Sequence, residues 1–74
     1  MFAVIEIQTN AEGIMAIVPP AVYETMNDAL SAFYQKMISA TQSSVYQHTI
    51  AIMDNVGTIV KKETVFHEVE EDDE

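Results

Sequence analysis

Apolar and β-branched residues are concentrated in four runs, two on each side of a segment whose apolar residues recur with a helical period. The runs cover residues 2–9, 14–22, 45–53 and 58–67. They are rich in Val, Ile, Thr and aromatic residues, the composition that favours strands. The pattern therefore predicts the element order ββαββ.

Two similar tetrapeptides join the runs in pairs, NAEG at Asn10–Gly13 and DNVG at Asp54–Gly57. Each begins with Asn or Asp and ends with Gly, which is typical of a type I turn followed by a left-handed glycine. Such turns close short β-hairpin loops. We expect two hairpins, in which Asn10 pairs with Ile14 and Asp54 pairs with Thr58.

The segment between the hairpins predicts one helix of about 15 residues. Thr25 is the expected N-cap, and Asp28 stands three residues later in the position of a capping-box acid. At a helical spacing the apolar residues form one stripe. Its members are Met26, Ala29, Leu30, Phe33, Met37 and Ala40. This stripe predicts the helix face that packs on the sheet.

The predicted fold class is α+β, a four-stranded antiparallel sheet in ββαββ order with one helix packed on one face. Pro19 and Pro20 lack the N–H that a sheet ladder needs, so the second strand should be an edge strand or bulged there. Strand order 2-1-3-4 places it at an edge and is the expected order, although 1-2-4-3 is also antiparallel. The pattern leaves open which face of the sheet the helix covers.

The first hairpin is apolar on both faces, yet a single helix can cover only one. In the expected pairing one face carries Phe2, Val4, Ile14, Ala16, Val18 and Val22, and the other carries Ala3, Ile5, Ile7, Met15 and Ile17. On the helix, Tyr34 and Ile38 lie beside the core stripe. A sheet that is apolar on both sides is usually covered on both sides. We therefore predict a protein interface at Ile5, Ile7, Met15, Ile17, Tyr34 and Ile38, formed by a homodimer or by a bacterial partner protein.

The net charge of −9 is divided unevenly along the chain. Residues 68–74 hold six of the twelve acids, and we interpret this stretch as a disordered acidic tail after a single domain at 1–67. The domain itself has a net charge of −3, and the chain contains no Arg. Binding to nucleic acid or to an anionic membrane is not expected, because the attraction to phosphate is missing.

Candidate chemistry is sparse. The chain has no Cys, which excludes disulfides and thiolate metal sites. The expected pairing sets His48 opposite Thr64 on one face and His67 on the other face, and a slip of one residue would place His48 beside Glu63. This spacing matches no pattern of metal ligands. Ser43 and Ser44 lack the surroundings of a nucleophile, and both glycines are used in turns, so no phosphate loop can form. We predict no enzymatic activity, no metal and no cofactor.

The compartment is predicted from two absences in the sequence. Met1 leads directly into a strand pattern that carries Glu6, with no basic residue before it, unlike a signal peptide. No apolar run approaches the roughly 18 residues of a membrane span. A cytoplasmic location is expected.

Four short stretches form a layout that is shared with other proteins: the opening FAVIEIQ strand, the Tyr46–His48 run, the DNVG turn and the closing segment from Glu63 to Glu68. In these stretches the chain resembles small uncharacterised proteins from phages and mobile elements of gut Firmicutes. Gln47 and the two prolines depart from the pattern of these proteins. The resemblance implies a bacterial cytoplasm as the setting and carries no established activity. It leads to the hypothesis of a non-enzymatic protein-binding module that inhibits or modulates a host protein, with a structural homodimer as the alternative.

Overall fold

A computed structural model describes residues 1–67 and confirms the ββαββ arrangement. The elements are β1 (Phe2–Thr9), β2 (Met15–Tyr23), α1 (Met26–Thr41), β3 (Gln47–Asp54) and β4 (Ile59–Phe66). The predicted acidic tail, 68–74, lies outside the described residues.

The strands form one antiparallel sheet in the order β2-β1-β3-β4. This is the expected order, and it places the proline-containing strand β2 at an edge. An edge strand can carry proline because its outer N–H groups have no partner strand to bond. The two central strands, β1 and β3, are paired along their whole length from Phe2↔Asp54 to Thr9↔Gln47.

Both hairpin turns have the predicted form. The Asn10 Oδ1 atom accepts hydrogen bonds from the N–H groups of Glu12 and Ile14, at 3.0 and 2.9 Å. The Asp54 Oδ1 atom accepts equivalent bonds from Val56 and Thr58, at 3.1 and 2.8 Å. Gly13 and Gly57 take the left-handed conformation, with φ of 88° and 90°. Glycine is required there because a Cβ atom strains that backbone region.

The turn geometry gives a prediction for Gly57→Ala. No atom lies within 4 Å of a Cβ built at this position, so the substitution meets no steric clash and its cost is the strained backbone alone. We expect the free energy of unfolding to fall by about 1 kcal/mol, measured by urea denaturation. Gly13→Ala has equally open surroundings and should cost the same. A difference of more than about 1 kcal/mol between the two variants would contradict a purely conformational origin.

Helix α1 begins at the predicted N-cap and packs by the predicted stripe. The Thr25 Oγ1 atom accepts a hydrogen bond from the Asp28 N–H at 3.1 Å. Phe33 and Ala29 are fully buried against Val4 of β1 and Ile52 of β3. The other stripe residues, Met26, Leu30, Met37 and Ala40, belong to the same hydrophobic core. The core therefore lies between α1 and the two central strands.

A bulge at the prolines corrects the predicted face of Val22. The β1–β2 register shifts between Val4 and Glu6, opposite Pro19 and Pro20, so that Val22 pairs with Ala3. One inserted residue moves all later side chains of the strand to the opposite face. Val22 therefore lies on the face of Ile5 and Ile7, not with Val4 as predicted.

A second bulge corrects the predicted positions of the histidines. The β3–β4 register shifts between Ile52 and Met53, so His48 pairs with Val65 and not with Thr64. The His67 N–H then bonds the Tyr46 carbonyl at 2.7 Å. Both histidine rings lie on the helix side of the sheet, with centroids 6.2 Å apart, whereas the sequence predicted opposite faces. The extra residue in β4 was not recognised because its Val, Ile and Lys residues carry no bulge signal.

Candidate functional site

The helix covers the sheet face that contains Val4, Ile50 and Ile52, and among residues 1–67 no element covers the other face. We call the uncovered side the open sheet face. Alternation along the strands and the registers assign to it Ala3, Ile5, Ile7 and Thr9 of β1, Met15, Ile17 and Val22 of β2, Gln47, Thr49, Ala51 and Met53 of β3, and Ile59, Lys62, Thr64 and Phe66 of β4.

The predicted interface residues fall into two groups on different sides of the molecule. Met15 and Ile17 are 61% and 63% exposed on the open sheet face, and Ile5 and Ile7 lie half-buried between them and β3. Tyr34 and Ile38 are exposed on α1, behind the sheet. The structure thus joins the four strand residues into one surface and separates the two helix residues from it.

The open sheet face is almost free of charge. Within residues 1–67, Lys62 is its only charged side chain. The acids of the described chain lie on the helix side of the sheet, in the turns or on α1. The chain carries a net charge of −9, yet within residues 1–67 this face has no carboxylate.

The polar side chains of the open sheet face bond one another. The Thr49 and Thr64 hydroxyls are 3.2 Å apart across β3 and β4. The Gln47 amide donates to the Thr49 hydroxyl at 3.4 Å. Covering a hydrogen-bonded polar group costs less than covering one that has only water as its partner. The free-energy cost of covering these residues with another protein surface is consequently reduced.

The area of the open sheet face is large for such a small chain. Four strands of eight or nine residues at ordinary sheet spacings extend over about 27 by 19 Å, or about 500 Å². Soluble monomers have largest apolar patches of about 300–600 Å², and these are often functional. The face is therefore in the range of a binding surface.

A buried polar cluster lies on the opposite face, under α1, around Glu6. The Glu6 Oε2 atom is 2.7 Å from His48 Nδ1 and accepts a hydrogen bond from the Gln8 amide at 3.2 Å. The Lys36 ammonium group of α1 donates to Glu6 Oε1 at 3.3 Å. Glu6 and His48 are both buried. The cluster links β1, β3 and the helix.

Opposing effects set the pKa of the Glu6 carboxyl. Burial raises this pKa, but the hydrogen bonds from His48, Gln8 and Lys36, together with the positive charge of Lys36, outweigh burial and leave it below its ordinary value. The carboxylate form is thus favoured in the folded chain. An ionised Glu6 in turn fixes the proton of His48 on Nδ1, from which the ring donates.

His67 bonds the helix, and His48 bonds Glu6 of β1. The His67 Nε2 atom donates to the Ala40 carbonyl at 2.5 Å, in the last turn of α1. His48 Nε2 is buried and has no hydrogen-bond partner among residues 1–67. Within the same residues, no group of three or more His, Asp or Glu side chains could hold a metal ion. The Glu6–His48 pair resembles an acid–base dyad in chemistry, and both of its side chains are buried.

Sequence reasoning missed the role of Glu6, although a signal was present. Glu6 follows Val4 by two residues, and this places its carboxylate on the same strand face as a core residue. A buried carboxylate requires hydrogen-bonding or cationic partners. The partners themselves, His48 and Lys36, come from distant parts of the chain, and only the β1–β3 pairing and the packing of the helix bring them to Glu6.

Comparison with models of protein families, with curated proteins and with solved structures found no match for this chain. Within residues 1–67, no helix is long and apolar enough to cross a membrane.

Proposed function

We propose that this chain is a non-enzymatic protein-binding module that acts through the open sheet face. The observation that carries the proposal is the composition of this face, which is broad, apolar and, within residues 1–67, charged only at Lys62. A surface of this kind is stabilised by contact with another apolar protein surface. Its function is to occupy that surface, without chemistry of its own.

The resemblance to small proteins of phages and mobile elements supports a bacterial cytoplasm as the setting of this function. A bound host protein would there be inhibited or modulated because part of its surface is covered. The near absence of charge on the open sheet face supports a protein partner over nucleic acid, whose binding depends on basic residues. The second candidate function is a structural homo-oligomer, which the small hydrophobic core of the chain favours.

A pair of matched variants tests the proposal. Ile17 on the open sheet face and Ile38 on α1 are 63% and 60% exposed, so a lysine at either position should leave the fold intact. We expect Ile17→Lys to abolish co-purification of proteins that the tagged wild-type chain retains, since the new ammonium group would have to be desolvated. Ile38→Lys should retain them. The measurement is quantitative mass spectrometry of proteins captured from the organism that carries the gene.

Two results would contradict the proposal. One is the same set and amount of captured proteins, copies of the chain included, for the wild type and Ile17→Lys. The other is loss of these proteins in Ile38→Lys alone, which would move the binding surface to the helix.

A further inference from the structure

We infer that the occupant of the open sheet face is a second copy of this chain, packed sheet to sheet with both helices outside. This inference rests on the proposed function of the same surface and takes up its second candidate, the homo-oligomer, in place of a host protein. It gives a sandwich in which two sheets lie about 10 Å apart, with their strands aligned to within about 30°. Three properties of the structure lead to it.

The first property is the size of the core. The buried hydrophobic residues of the described chain are Val4, Ala29, Phe33, Ala40, Ile50, Ala51 and Ile52, and three of them are alanines. A chain of 74 residues with no disulfide has a small margin of stability, which additional burial would increase. The gain is greatest with a cover that is present whenever the chain folds. A second copy meets this condition without the help of any other protein.

The second property is the available area. Two open sheet faces of about 500 Å² each would bury about 1,000 Å² together, before the relief of the side chains is counted. This reaches the size of about 1,000 Å² that separates specific interfaces from chance contacts. Several exposed side chains protrude from the face and can interdigitate across the interface. They are Met15, Ile17, Val22, Ile59 and Phe66.

The third property is the distribution of charge. A net charge of −9 would ordinarily oppose self-association, but the described acids lie away from the open sheet face. Within residues 1–67, two such faces therefore bring no carboxylates together. Lys62 stands on the edge strand β4, from which its long side chain can extend to solvent. The hydrogen bonds among Gln47, Thr49 and Thr64 give each of these side chains one polar partner that can remain inside the interface.

The experiment is sedimentation velocity of the full chain over a hundredfold dilution that includes micromolar concentrations. We expect a species of twice 8.3 kDa for the wild type. In a two-fold dimer one substitution introduces two charges. Ile17→Lys should therefore raise the dissociation constant by at least about 100-fold. The matched control Ile38→Lys should remain dimeric. Circular dichroism verifies the fold, and Met15→Lys is the second variant if Ile17→Lys does not fold.

Each contrary outcome has a distinct meaning. A wild-type monomer at every concentration overturns the inference. If Ile17→Lys nevertheless abolishes capture of a foreign protein by this monomer, the proposed function stands with a different partner. If no capture depends on Ile17, the inference and the proposed function are both wrong. A dimer that persists in Ile17→Lys and in Met15→Lys overturns the assignment of the surface.

Discussion

Replacing Phe33 by alanine should remove most of the stability of this domain. Phe33 is fully buried at the centre of the core, where α1 meets Val4 of β1 and Ile52 of β3. The substitution deletes the aromatic ring and leaves a cavity that the small sheet can fill only in part. A loss of about 3–5 kcal/mol in the free energy of unfolding is expected. A domain of this size has few kcal/mol to lose.

Urea denaturation at a fixed protein concentration is the appropriate measurement, because the proposed self-association would add to the apparent stability. Tyr34→Ala is the matched control, since Tyr34 is the adjacent aromatic residue and is 51% exposed. The two rings are in edge contact, with centroids 5.3 Å apart, so the control should lose about 1 kcal/mol or less. Similar losses for the two variants would show that Phe33 is not the centre of the core.

The second large effect is expected from Glu6→Leu. The substitution preserves bulk but removes the acceptor of the His48 ring, the Gln8 amide and the Lys36 ammonium group. Lys36 can turn to water, because its side chain is partly exposed, whereas His48 is enclosed. A buried donor without an acceptor makes the loss large. We expect about 3 kcal/mol of unfolding free energy to be lost.

A double variant separates this cause from a loss of packing. Glu6→Leu combined with His48→Leu removes both partners of the buried pair, and an apolar pair of similar volume is often as stable as the ion pair. The double variant should therefore be more stable than Glu6→Leu alone. If the loss of the double variant equals the sum of the losses of Glu6→Leu and His48→Leu measured separately, the Glu6–His48 contact is not the source of the effect.

The lowered pKa of Glu6 fixes the direction of a pH effect on the same cluster. A carboxyl whose pKa is lower in the folded chain adds stability above its ordinary pKa, and this contribution disappears as the pH falls through the lowered value. The wild type should thus lose stability relative to Glu6→Gln on acidification. Urea denaturation of the two proteins from neutral to acidic pH measures the difference. A difference in unfolding free energy between the two proteins that stays constant at all pH values would contradict this prediction.

The sequence by itself determined the local elements of this protein. Asn10, Asp54 and the two glycines specify both turns, because their side chains and their access to left-handed backbone meet demands that are local to the loop. Thr25 and the apolar stripe define the start and the buried face of α1 for the same reason. Pro19 and Pro20 favoured the strand order 2-1-3-4 without excluding 1-2-4-3, and the structure confirms the favoured order.

The tertiary structure decided which side chains meet. Two bulges, one opposite Val4 and Glu6 and one opposite Ile52 and Met53, changed the faces of Val22 and of the histidines. A bulge adds one residue without a fixed sequence signal, and it reverses all later faces because the strand period is two. Pairing of Glu6 with His48 and Lys36 likewise depends on residues that are far apart in the chain.

Only the tertiary structure also decided which sheet face is open. Both faces of the first hairpin are apolar, so hydrophobic patterning gives the helix no preference between them. The helix covers the face of Glu6, whose carboxylate bonds Lys36 of α1 and His48 of β3. A carboxylate at this position can be buried only beneath a helix that brings a cation. The face of Ile5, Ile7, Met15 and Ile17 is consequently the one that the helix does not cover.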